Sequence, residues 1–89
     1  MPASSELVVS LPDGVALHAR PAGLFVRTAA GFRARISVAA GEREADAKSI
    51  ISVLTLGAAG GSALRLRAEG DDAEAAVAAL AACVRDLAE

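Results

Sequence analysis

Tryptophan and tyrosine are missing from this chain, and phenylalanine occurs twice, as Phe25 and Phe32. Proteins that hold single-stranded nucleic acid stack its bases on aromatic side chains, so that class of function lacks its main contact residue here. A basic footprint is missing too, because nine Lys and Arg are outweighed by eleven Asp and Glu for a formal net charge of -2. The one cysteine, Cys83, has no partner for an internal disulfide, and nothing points to an oxidising compartment. The one histidine, His18, has no second histidine and no nearby cysteine with which to bind zinc. No apolar run reaches the roughly 18 to 20 residues of a membrane span. No basic-then-apolar segment stands at the N-terminus. The expectation is a soluble, cytoplasmic protein with no metal, no cofactor, no nucleic-acid partner and no membrane insertion.

Apolar residues make up 54% of the 89, but many are alanine, which suits close helix packing in a single modest core. Residues 1–89 therefore read as one domain. Glu6 to Leu11 is a strand candidate closed by the turn residues Pro12-Asp13-Gly14. A first helix over about Ala19 to Ala30 places Ala22, Phe25, Val26, Ala29 and Ala30 at the i, i+3, i+4, i+7 spacing of a buried stripe, with Gly31 as its stop. Phe32 to Ala39 alternates, Ala34, Ile36 and Val38 against Arg33, Arg35 and Ser37, as a half-buried antiparallel strand does. The charged stretch Glu42 to Asp46 suits a sheet edge. A short helix runs from about Ser49 or Ile50 to Leu56, with Ser49 as an N-cap candidate and Gly57 as its stop.

The loop Gly57 to Gly61 lacks the lysine and spacing of a nucleotide-binding loop and reads as a flexible connector. Ser62 to Glu69 alternates again, with Leu64, Leu66 and Ala68 inward. Asp71 and Glu74 then resemble a capping box that opens a last helix whose stripe is Ala73, Ala76, Val77, Leu80, Val84 and Leu87. Cys83 lies close to that stripe and is expected to be buried and inert. Four short strands and three helices make an α+β domain whose sheet is covered on one side.

The chemistry concentrates at Ala16-Leu17-His18-Ala19-Arg20-Pro21-Ala22. Proline suits a first helical turn, where its missing N–H would have no partner. The helix N-terminus is then a natural anion site, through free N–H groups and the positive end of the helix dipole. Arg20 adds a permanent cation with a planar fork of donors. From these residues alone His18 is equally a surface or capping histidine and a nucleophile that accepts a phosphoryl group. Leu24, beside Arg20 and Arg27 and off the buried stripe, is equally an ordinary exposed leucine and part of a docking surface. The short helix is too apolar for one narrow stripe, since Ile50, Ile51, Val53, Leu54 and Leu56 cannot all face inward.

The run Leu17 to Ala22, followed by Lys48-Ser49-Ile50 and Leu56-Gly57-Ala58, closely resembles the HPr family, the histidine-containing phosphocarriers of the bacterial phosphoenolpyruvate-dependent sugar phosphotransferase system. The resemblance runs from Glu6 to Leu87. It implies an open-faced β-sandwich with a four-stranded antiparallel sheet ordered 1-4-2-3 and three helices on one face. It also implies a carrier with no turnover of its own, in which Nδ1 of His18 accepts phosphate from enzyme I and passes it to an enzyme IIA domain while Arg20 stabilises it. Ser49, beyond its capping role, becomes a regulatory phosphorylation site for an HPr kinase/phosphorylase, with a transcriptional regulator as a further partner.

The implied docking surface is Gly23, Leu24, Arg27, Ile50, Ile51 and Leu54 around His18 and Arg20. Transient partners of this kind favour a monomer. Two positions depart from the family pattern: Ala16 and Ser52 stand where many members have glycine. A second reading keeps the fold in a regulatory branch that serves nitrogen metabolism or acts through Ser49 as a co-effector of carbon catabolite regulation. A third, a ligand-binding module without phosphohistidine, requires His18 to be dispensable.

Overall fold

The computed structural model describes residues 3–87. The elements in order are β1 (Ser4–Ser10), α1 (Ala19–Ala30), β2 (Arg35–Ala40), β3 (Arg43–Asp46), α2 (Ile50–Leu56), β4 (Ala63–Glu69) and α3 (Ala73–Arg85). The strands form one antiparallel sheet in the order β1-β4-β2-β3. The three helices cover one face and leave the other open. This is the implied α+β architecture.

The register explains why the alternating strands end up this way. Leu7 pairs with Leu66, Leu66 with Val38 and Val38 with Ala45, so one apolar row crosses all four strands on the helix side. The adjacent row, Glu6, Arg67, Ser37 and Asp46, faces solvent. There Arg67 pairs with Glu6 at 3.6 Å. A one-residue slip would exchange the two rows, so burial of a single face sets the register.

Against the apolar rows α1 buries Pro21, Ala22, Phe25 and Ala29, and α3 buries Ala73, Ala76, Val77, Leu80, Ala81 and Val84. Burying a side chain such as Phe25 or Leu80 is worth about 1.5–3 kcal/mol, and small alanines on both helices let their backbones approach. Among the described residues no polar side chain is buried.

The structure corrects several boundaries. β1 starts at Ser4 and ends at Ser10, with Leu11 buried beyond it; β3 starts at Arg43 and β4 at Ala63. β2 begins at Arg35 rather than Phe32 because the preceding backbone is engaged elsewhere. The Phe32 N–H donates to the Ala29 carbonyl, and the Arg33 and Ala34 N–H groups donate to the Asp72 carboxylate, each at 2.8 Å. Ala30 is exposed rather than part of the buried stripe, and Cys83 is half-buried rather than buried. Leu87 is buried as expected but lies past the end of α3. The cap of α3 is Asp72, not Asp71, and its side chain makes no capping bond because it is spent on residues 33 and 34.

Candidate functional site

Alternation across the loop before α1 displays the histidine. Val15 and Leu17 are buried, and His18 follows Leu17 out into solvent. Here His18 is the N-cap of α1, in extended backbone conformation (φ -106°, ψ -164°), and its imidazole makes no capping bond. Its carbonyl accepts the first helical bond, from the Ala22 N–H at 2.8 Å. Three positions lie between them. Among the described residues the Ala19 and Arg20 N–H groups have no acceptor, and Pro21 has no N–H to satisfy. The first turn contains no acidic side chain. The positive end of the α1 dipole is therefore not offset by an acidic side chain of its own first turn, beside an imidazole that makes no hydrogen bond among the described residues.

Arg20 sits in the same turn, exposed, and both ion pairs among the described residues are made by Arg67 instead. Such a constellation can bring a phosphoryl group to the imidazole. Two N–H groups and a guanidinium would meet its oxygens while a ring nitrogen meets its phosphorus.

What holds this loop is the glycine-rich segment read as a flexible connector. The Leu17 N–H donates to the Ala58 carbonyl at 2.9 Å, Leu11 N–H to Ser62 at 2.9 Å and Gly61 N–H to Leu11 at 3.1 Å. The approach is close enough that a Cβ on Gly60 would lie 2.7 Å from the Gly14 nitrogen. The segment is thus a backing strap for the histidine loop, and its glycines allow backbone to lie against backbone.

The remaining implied site residues fall on two helices that pack against each other. On α1, Gly23, Leu24 and Arg27 continue the face that begins at Arg20, with Leu24 43% exposed. On α2, Val53 and Leu56 turn inward while Ile50, Ile51 and Leu54 remain exposed, Ile51 most at 70%. Ser49 is the N-cap of α2, its Oγ accepting the Ser52 N–H at 3.3 Å. It is therefore at the start of the neighbouring helix rather than in the histidine loop.

Sequence reasoning missed two side chains that organise the scaffold. Lys48 donates from Nζ to the Phe32 carbonyl at 2.6 Å. Asp72 grips residues 33 and 34, and the Arg33 N–H above all, helped by the Ala34 N–H and the Lys48 charge, holds its carboxyl below the usual carboxylate value. Both partners are backbone groups far away in sequence, and a backbone group leaves no residue-type signal.

Comparison with known proteins identifies the family and the fold. The family model described as "PTS HPr component phosphorylation site" matches residues 3–86. The phosphocarrier protein HPr of Mycoplasma capricolum is 33% identical over 88% of each chain. A multiphosphoryl transfer protein of Xanthomonas campestris is 43% identical over 82 residues, 92% of this chain, and this chain spans about a tenth of that protein, 10%. The crystal structure of an HPr from Bacillus anthracis superposes with a TM-score of 0.86 at 39% identity, covering 92% of this chain and 98% of the other. With the family matched along nearly its whole length and the fold reproduced, this chain belongs to the HPr family of phosphocarrier proteins of the phosphotransferase system.

Proposed function

We propose that His18 carries a phosphoryl group from phospho-enzyme I to an enzyme IIA domain. The observation that supports this most is the exposed His18 imidazole, without a hydrogen bond among the described residues, at a helix N-terminus whose next two N–H groups have no acceptor among them. In the forward step the Nδ1 lone pair of neutral imidazole attacks phosphorus and a P–N bond forms. The donor's bond to phosphorus breaks, and its electron pair leaves with the donor. In the second step the acceptor's nucleophile attacks in line, the P–N bond breaks and its electrons return to Nδ1.

A carrier must hold phosphate without trapping it. A helix terminus contributes about 0.3–2 kcal/mol to an anion, which fits a reversible hold. Arg20 supplies the rest and serves as the partner most sensitive to phosphate geometry.

Leu24, Ile50, Ile51 and Leu54, flanked by Arg20 and Arg27, form an apolar patch with a basic rim, a suitable match for an acidic partner surface with an apolar centre. Ser49 lies at the start of α2 beside this patch. Phosphorylation there adds about -1.5 to -2 charge, which opposes an acidic partner without altering His18. Phosphoenolpyruvate is used in the cytoplasm, and that is where the carrier works.

The test is intact mass after incubation with phosphoenolpyruvate and enzyme I. One acid-labile phosphate in the parent and none in His18→Ala is the expected result. Phosphate retained by His18→Ala would sink the assignment.

A further inference from the structure

Residues 32–34 join the end of α1 to β2, and two side chains from distant parts of the chain hold them. The Lys48 ammonium donates to the Phe32 carbonyl at 2.6 Å, and the Asp72 carboxylate accepts the Arg33 and Ala34 N–H groups at 2.8 Å each. Three helices therefore meet at one polar junction: the end of α1, the lead-in to α2 and the cap of α3. Lys48 and Asp72 also act on each other, since the Lys48 charge is among the influences that keep the Asp72 carboxyl ionised. Lys48 immediately precedes Ser49, whose Oγ caps α2.

We propose that Lys48 relays modification of Ser49 to this junction: a phosphate on Ser49 draws the ammonium off the Phe32 carbonyl and loosens the link between α1 and β2. This rests on reading Ser49 as a phosphorylation site. The competition is between charges of unequal size. At the junction the ammonium meets a carbonyl dipole and the field of one carboxylate that already shares its oxygens with two N–H groups. On Ser49 it meets about -1.5 to -2 charge on oxygens that are strong acceptors. A lysine has three donors on a flexible stem and can change partner by rotating side-chain bonds alone. Asp46, whose Oδ1 accepts the Lys48 backbone N–H at 2.9 Å, keeps the lysine backbone in place while the ammonium moves. The modification thus has a second effect beside its charge, because the released segment closes the helix that carries Leu24 and Arg27.

The experiment is amide hydrogen exchange by NMR on the full chain, comparing the parent, Ser49→Asp, Lys48→Met, Lys48→Arg and the double variant Lys48→Met/Ser49→Asp. Loss of one net hydrogen bond speeds local opening by about tenfold. Lys48→Met is expected to speed exchange at Arg33 and Ala34 by that factor while leaving Leu66 in the sheet unchanged, and Lys48→Arg to retain protection. Ser49→Asp should act in the same direction by a smaller factor, and add nothing once Lys48 is methionine. Equal effects of Ser49→Asp in both backgrounds, or none in the parent, would overturn the relay. Intact mass after incubation with ATP and an HPr kinase tests the modification separately. An unphosphorylated Ser49 there would sink the modification reading and leave the coupling as measured.

Discussion

Two glycine-to-alanine substitutions should move stability in opposite directions, and the pair tests the packing account of this fold. Gly70 links β4 to α3 with φ +144°, and a Cβ there would stand 2.9 Å from Ala34 Cα and 3.3 Å from Ala34 Cβ. Its N–H also donates to the Ala3 carbonyl at 2.8 Å, so it cannot swing away without losing that bond. A side chain in this backbone region costs about 1–3 kcal/mol, and forcing a methyl against packed backbone costs a similar amount. A net loss of about 3 kcal/mol is a large share of the roughly 5–15 kcal/mol that stabilises a small domain. At about 4–8 °C per kcal/mol for a domain of this size, Tm should fall by roughly 12–24 °C.

Gly23 is the contrast. It lies inside α1, and a Cβ there meets nothing within 4 Å. Gly23→Ala should stabilise by about 0.5–1 kcal/mol through the reduced entropy of the unfolded chain. Thermal and urea unfolding followed by circular dichroism would measure both. Gly70→Ala within about 0.5 kcal/mol of the parent, the range of a neutral surface change, would refute the close approach of Gly70 to Ala34.

Other outcomes follow from single contacts. Asp72→Asn should destabilise the protein at neutral pH. The folded-state carboxyl is depressed, so its contribution is present above the unfolded carboxyl value and is lost as pH falls through the folded one. The parent and Asp72→Asn should therefore converge in stability in acid, as urea titrations at a series of pH values would show. Arg20→Ala should slow phosphoryl transfer from enzyme I by roughly ten- to a hundredfold, the effect of about 1.5–3 kcal/mol for a hydrogen bond to a charged group. Rapid-quench kinetics would detect it, with Tm unchanged. Ile51→Ser, at a side chain 70% exposed, should alter stability by no more than about 0.5 kcal/mol. If α2 docks partners, the same change should weaken binding to enzyme I by more than about 1 kcal/mol in calorimetry.

Local rules determined much of this protein from sequence alone. Period-2 alternation marked Ile36, Val38, Leu64, Leu66 and Ala68 as inward, and the 3.6-residue period marked the first and last helices, because burial on one face imprints its period on the chain; the short helix was marked by its ends, Ser49 and Gly57. The histidine before Arg20 and Pro21 marked the helix start, because proline and a free helix end both depend on neighbouring residues only. The strand order became legible through resemblance and not through periodicity, since pairing partners lie far apart in sequence.

Tertiary structure decided the rest. Asp72 and Lys48 carry ordinary surface residue types, and what distinguishes them is the backbone of residues 32–34 that folding delivers to them. The same is true of the glycine-rich strap, whose carbonyl at Ala58 holds Leu17 and so displays His18. Side-chain chemistry can be read from a sequence because it travels with the residue. A hydrogen bond to distant backbone cannot, unlike the local cap that Ser49 gives Ser52, because every residue offers the same groups and only the fold selects which of them meet.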